Sequence, residues 1–322
     1  MVEKSTTTKN QIGRRRPFDN KSYLAYDHQN LLVILAQLIA WASIISLLHQ
    51  PLGWWIKLPL LVLFCIVMQG VFSFMHECFH DHGNRKRWVN WFFGWITTTI
   101  FGSSYTFIRV NHQGHHVRNR TRAELIDYIL PGESAKQKIA FYYFGIFGGI
   151  WLGVLIGALI LPFLPHASTT GLRMQKEFNT YSAAFSNFTP ADWNMIRIES
   201  VLAISFWICV INLFQWDWKV LLVMYAAFGF SWSFLQWVYH VRTPIDVVEG
   251  AYNLRLPRFL RWLFLNFNYN LTHHRHPEYR WQELHLATDL QETQPLWYRL
   301  LGLLLPPRPM PDDPNSIRKT YF

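Results

Sequence analysis

The sequence predicts an all-α integral membrane protein of about four transmembrane helices, arranged as two hairpins with re-entrant or interfacial helices between and after them. Three observations carry that prediction. Of 322 residues, 51% are hydrophobic and 17% aromatic, and only 16% are charged, against about 25% charged in a soluble domain. The apolar residues fall in long uncharged blocks, several of them near the roughly 20 residues that cross a bilayer. The formal net charge of +10 comes from basic segments that flank those blocks, the pattern of cytoplasmic loops rather than of a nucleic-acid binder. An ordinary cytosolic enzyme and a disordered chain are both excluded by this composition. Cys65, Cys78 and Cys209 form no disulfide framework, and nothing requires an oxidising compartment.

Taken in order, residues 1–30 are a basic, solvated arm carrying Lys4, Lys9, Arg14, Arg15, Arg16 and Lys21, with no cleavable signal. Residues 31–48 form a first uncharged span. Gln50-Pro51-Leu52-Gly53 is a turn, with Trp54 and Trp55 where an aromatic belt belongs. Residues 58–75 form the second span. A third run covers 139–164 and another 220–239, with the polar stretch 166–199 and the run 200–214 between them. If 76–138 and 240–322 share one side, two crossings separate them, so 200–214, short for a span, is expected to be re-entrant or interfacial. Residues 258–264 alternate basic and apolar side chains, as in a helix lying on a membrane surface. Residues 291–322, with Pro306, Pro307, Pro309, Pro311 and Pro314, read as an extended tail.

Histidine carries the chemistry. Ten of the 14 histidines fall in four places: His76, His80 and His82; His112, His115 and His116; His240; and His273, His274 and His276. Each place lies just outside an apolar segment on one predicted side. Four-residue spacing puts His76 and His80 on one helix face, able to reach one ion. His112 can share a face with His115 or His116, and the adjacent pair diverges toward two ions. His273-His274 repeats that divergence. Imidazole suits zinc, copper, iron and nickel, and two sites of mostly neutral nitrogen ligands suit a redox metal that activates dioxygen. His82 and His276 each stand beside a complete pair, where a supporting or surface role competes with ligation.

The motifs His76-Glu77-Cys78-Phe79-His80, His112-Gln113-Gly114-His115-His116 and Asn270-Leu271-Thr272-His273-His274, the last followed by Arg275-His276-Pro277, resemble the three histidine boxes of the membrane fatty acid desaturase superfamily. The resemblance covers residues 30 to 290, and it implies a desaturase-like domain over 31–290 with a cytoplasmic histidine-rich cap. It implies a non-haem di-iron centre (two Fe), dioxygen, and two electrons from a separate donor such as ferredoxin with its reductase. It also implies that His240 is a further ligand and that the Gln236 amide can reach metal through water. Asn270 stands where the family has a histidine, so Asn270 or His276 would have to serve there. The segment 243–255 is similar to one common in bacterial and ring-hydroxylase-like members. No fused electron-donor segment such as a haem-binding HPGG is evident, which with the compact length suggests a bacterial inner membrane, the histidines and both termini being cytoplasmic.

The reaction implied is desaturation of a fatty acyl chain, whether free, carried on CoA or a carrier protein, or in a lipid. Hydroxylation, of an acyl chain or a carotenoid ring, and oxidative decarboxylation to a terminal alkene are alternatives at the same site. A histidine-rich metal transporter is the competitor from another class, though transport sites lie near the bilayer midplane rather than at span ends. Arg109, Arg118 and Arg242 could hold a substrate head group. Glu77, Asp81, Asp246 and Glu249 are expected to orient imidazoles.

Overall fold

The protein is described by a computed structural model covering residues 20–164 and 188–310. Most of the expected basic arm, most of the stretch 166–199 and the end of the expected tail lie outside those residues. Among the described residues the fold is helical, with β structure limited to four pieces of two or three residues. Five helices are long and apolar enough to cross a membrane among the described residues.

Helix α1 (Asn20–Leu48) pairs with α2 (Trp54–Phe79) across the 50–53 turn. α1 begins well before the uncharged run because its polar residues have partners waiting on the loop after α2. Asn30 Nδ2 donates to the carbonyls of His82 and Gly83, both at 3.0 Å, and Asp27 pairs with Arg85 at 3.0 Å. These contacts pin the segment that follows the first histidine pair.

α3 (Arg87–Phe101) and α4 (Tyr105–Arg118) form a hairpin that enters the bundle and returns. Gly102 makes the reversal at φ 98°, a left-handed position suited to glycine. The last carbonyls of α3 end in the interior, where water cannot satisfy them. Three other helices supply the donors. Trp207 Nε1 meets the Thr99 carbonyl at 3.0 Å, Tyr225 OH that of Ile100 at 2.7 Å, and Trp151 Nε1 that of Phe101 at 3.1 Å. The inward-turning element is therefore 87–118, which the sequence did not mark.

α5 (Ala135–Phe144) and α6 (Ile150–Leu159) are joined through a kink at 145–149, where Phe147 and Gly148 leave the helical conformation and Gly148 reaches φ 114°. α7 (Pro190–Phe214) corrects the expectation for 200–214: it is a 25-residue helix, long enough to cross. It starts at a capping box between Thr189 and Asp192. Its charged residues do not stop it, because Arg197 Nε donates to the Pro162 carbonyl at 2.8 Å and Glu199 is buried among donors. α8 (Trp218–Val238) runs from the turn beside His49 to His240.

The remaining segments fold over the ends of α2, α4 and α8. α9 (Arg258–Leu263) leaves Phe259 and Trp262 exposed, as a surface helix should. α10 (Asn270–Arg275) carries the last histidine pair, and α11 (Trp281–Ala287) follows. The expected extended tail is instead partly helical: α12 (Leu296–Leu303) sits between Pro295 and Pro306, which bracket it rather than break it. Tyr142 OH donates to the Leu303 carbonyl at 2.8 Å. Two parallel strand pairs close this region, β1 (Tyr128–Ile129) with β4 (Arg308–Pro309) and β2 (Asn253–Arg255) with β3 (Thr293–Pro295).

Candidate metal centre

Eight histidines from four elements converge at one end of the bundle. His76 lies in the last turn of α2 and His80 just past it, because the helix outlasts its apolar run. His112, His115 and His116 ride on α4, His240 follows α8, and His273 and His274 sit on α10.

They sort into two groups. Nitrogens of His76, His80, His112, His116 and His273 lie within 4.8 Å of one another, and so do those of His115, His240 and His274. The groups adjoin, with the His116 and His274 ring centroids 4.8 Å apart. Both adjacent pairs divide as their spacing predicted: His115 and His274 go to the smaller group, His116 and His273 to the larger.

The contacts inside the larger group are nitrogen to nitrogen. His112 Nε2 lies 2.7 Å from His80 Nε2 and 3.0 Å from His116 Nε2, which is 3.1 Å from His273 Nε2. A ring nitrogen carries at most one hydrogen, so a single N–H of His112 or of His116 would have to serve two neighbours at once. Two nitrogens bound to one ion at about 2.1 Å, at a right angle, lie about 3 Å apart. His76 Nε2 and His273 Nδ1 are also buried with no partner. The donor set fits metal ions.

Electrostatics agree. Burial first, and then the crowding of neighbouring rings, holds His80, His112, His273 and His274 well below the ordinary imidazole value. The same causes bring His116 down to about 2 and His240 to about 3, with the Gly250 carbonyl opposing the shift at His240. These rings are neutral at pH 7, the form that binds metal.

Two contacts fix which nitrogen faces inward. His115 Nδ1 meets Glu124 Oε2 at 2.5 Å, and His240 Nδ1 donates to the Gly250 carbonyl at 3.0 Å, leaving Nε2 of each ring for the group. Burial opposes ionisation of Glu124, but His115 and Arg118 outweigh it and hold the carboxyl down to about 2. Sequence reasoning missed Glu124. It lies in the turns after α4, where no periodicity ties it to His115.

The other expected residues are placed as follows. His82 stands outside both groups, 3.6 Å from Glu77 Oε2. His276 stacks on Tyr279 at 4.9 Å and is also outside them. Asn270 is buried, and its Oδ1 has no partner. Its spacing puts it on the face of α10 that carries His273 and His274. Gln236, one turn before His240, has an unpartnered buried Nε2.

Arg118 is a correction. It is 2% exposed, and its Nε donates to Glu124 Oε1 at 3.1 Å, so it supports a carboxylate instead of meeting a head group. Arg242 spends its guanidinium on the Pro306 carbonyl at 3.2 Å, and Arg109 pairs with the exposed Asp81 at 3.3 Å. Among the four expected orienting acids, Glu77 lies 3.9 Å from His76 Nδ1. Asp81 meets Arg109, Asp246 caps the amides of Val248 and Glu249, and Glu249 pairs with Arg275.

Known proteins resemble this chain over the same region. A model of the fatty acid desaturase family matches residues 52–301, which include all eight clustered histidines. A fatty acid desaturase of Bacillus subtilis (strain 168) is 19% identical over 269 residues, covering 77% of this chain and 72% of that protein.

Proposed function

Because the chain belongs to the fatty acid desaturase family, we propose that it is a membrane di-iron oxidase that uses dioxygen to introduce a double bond into a fatty acyl chain. The observation that carries this reading is the pair of adjoining histidine groups, one of five nitrogens and one of three. His76, His80, His112, His116 and His273 would hold one iron; His115, His240 and His274 would hold the other, with Asn270 and Gln236 near enough in sequence to add an oxygen ligand directly or through water. Iron bound there supplies the reduction of dioxygen and the removal of hydrogen from an unactivated C–H bond. The reaction balances: two electrons and two protons from two C–H bonds, two electrons from a separate donor protein and two protons from solvent reduce one dioxygen to two waters.

The chain's own residues would do the rest. Neutral imidazoles at His80, His112, His116, His240, His273 and His274 are presented without prior loss of protons, and Glu124 and the Gly250 carbonyl hold His115 and His240 in register. Phe72, Phe101, Trp232 and Phe267 pack ring to ring beneath His76, with centroids 5.0 to 6.0 Å apart, and keep water from that side. A cleft of about 320 Å³ lined by Leu61, Val62, Cys65, Ile66, Ala227, Ser231, Leu235 and Phe264 opens along the seam of α2 and α8. Arg109 remains the head-group residue we favour, since its partner Asp81 is exposed.

Hydroxylation and decarboxylation use the same centre and differ in where the substrate carbon rests, to which such reactions are sensitive. We place the protein in a bacterial inner membrane with the histidines on the cytoplasmic side. Lipid and headspace mass spectrometry of cells expressing the chain or its His115→Ala variant, with an electron donor supplied, tests the reading. A new double bond lost in the variant supports it. Identical profiles from two folded proteins refute it, and a new hydroxyl or terminal alkene reassigns the reaction.

A further inference from the structure

Helix α4 brings ligating rings to both groups, yet its N-terminus lacks the cap its sequence offers. Ser104 occupies the N-cap position, where serine ordinarily accepts from the first amides of the helix. Here its side chain makes no capping hydrogen bond, and its Oγ is buried without a partner. The cap comes instead from a distant carboxylate. Glu199 Oε2 accepts from the Thr106 amide at 2.8 Å, and Oε1 accepts from Thr106 Oγ1 at 3.0 Å and from Trp91 Nε1 at 3.3 Å.

Glu199 is 0% exposed and sits within α7, a helix apolar enough to cross a membrane. An ionisable group at such depth is costly and is retained for a task. Among the described residues no lysine or arginine pairs with it. Its partners are an amide, a hydroxyl, an indole and the positive end of the α4 dipole. One side chain thereby joins α3, α4 and α7.

We propose that Glu199 is a positioning residue for the metal centre, setting the depth and rotation of α4 from inside the membrane. The inference rests on the metal reading above. Thr106 precedes His112 by about 9 Å of helical rise, within one unbroken helix. A slip at the capped end moves His112 and His116 against His76, His80 and His273, and moves His115 against His240 and His274. α7 carries no histidine, so nothing in the ligand motifs points to it.

The test is Co²⁺ titration of the full chain in nanodiscs, followed by visible absorption, which reports ligand geometry apart from activity. Wild type is compared with Glu199→Gln, Glu199→Ala and Ser200→Ala. Ser200 lies on the same helix but donates to the Ala158 carbonyl at 2.7 Å, away from α4. Both Glu199 variants should bind Co²⁺ about 10- to 100-fold more weakly, the range seen when a group that orients ligands is lost, with displaced absorption bands. Ser200→Ala should lower the unfolding temperature and leave the bands in place. If Glu199→Ala does not fold, Glu199→Gln decides. A folded Glu199→Gln protein with wild-type affinity and bands overturns the proposal, as does a Ser200→Ala protein with the same band shift. A wild-type chain that takes up no Co²⁺ refutes the metal reading itself, and the proposal with it.

Discussion

Glu124 and His115 meet at 2.5 Å between Oε2 and Nδ1, while the other oxygen of Glu124 receives Arg118 Nε at 3.1 Å. The contact presents His115 Nε2 toward His240 and His274, whose rings lie 4.7 and 5.2 Å away.

Removing that carboxylate should therefore affect one group more than the other. Glu124→Ala is expected to weaken metal binding at the three-histidine group by about 10- to 100-fold, with a smaller effect on the five-histidine group. Two-site isothermal titration reads both affinities. Equal weakening at both groups would mean that Glu124 only supports the fold.

The depressed histidine values give a pH prediction. Burial and crowding hold His116 at about 2 and His240 at about 3, and hold His80, His112, His273 and His274 well below the ordinary imidazole value. Imidazole is uncharged above its pKa, so these rings are already deprotonated between about pH 6 and pH 8. Metal binding should then displace almost no protons from them at pH 7, which calorimetry in buffers of different ionisation enthalpy measures. The unfolded chain, in contrast, takes up protons below about pH 6.5. It then binds more protons than the folded chain, so apo stability falls as pH falls through that value. Release of several protons at pH 7 would show that the rings are not held neutral.

Asn270 should separate stability from metal affinity. Its Oδ1 is buried and has no partner, and replacing an unsatisfied buried polar group with an apolar one is close to neutral or stabilising. Asn270→Ala should leave the apo unfolding temperature unchanged or raised, and should weaken metal binding. A lower apo unfolding temperature with unchanged metal affinity would assign Asn270 to packing.

The two histidine groups were legible because spacing on a helix dictates direction. Four residues put His76 and His80 on one face, and adjacency split His115 from His116 and His273 from His274. The apolar runs revealed four of the helices long enough to cross. The fifth, α7, was obscured by Arg197 and Glu199, which look like boundaries until tertiary contacts give them partners. The α3–α4 hairpin was hidden for a related reason: its buried carbonyls are satisfied by Trp151, Trp207 and Tyr225, far away in sequence. Glu124 and Arg118 belong to the same class. Their roles come from a chain reversal after α4 that no local pattern encodes.

The most direct measurement is iron content per chain, after expression with iron and washing with chelator, for wild type and for the His240→Ala/His274→Ala double variant. Two histidine groups that each hold an ion predict about two irons in the wild type and about one in the variant. No retained iron in the wild type, or the same content in both folded proteins, would contradict a two-ion centre built from these eight histidines.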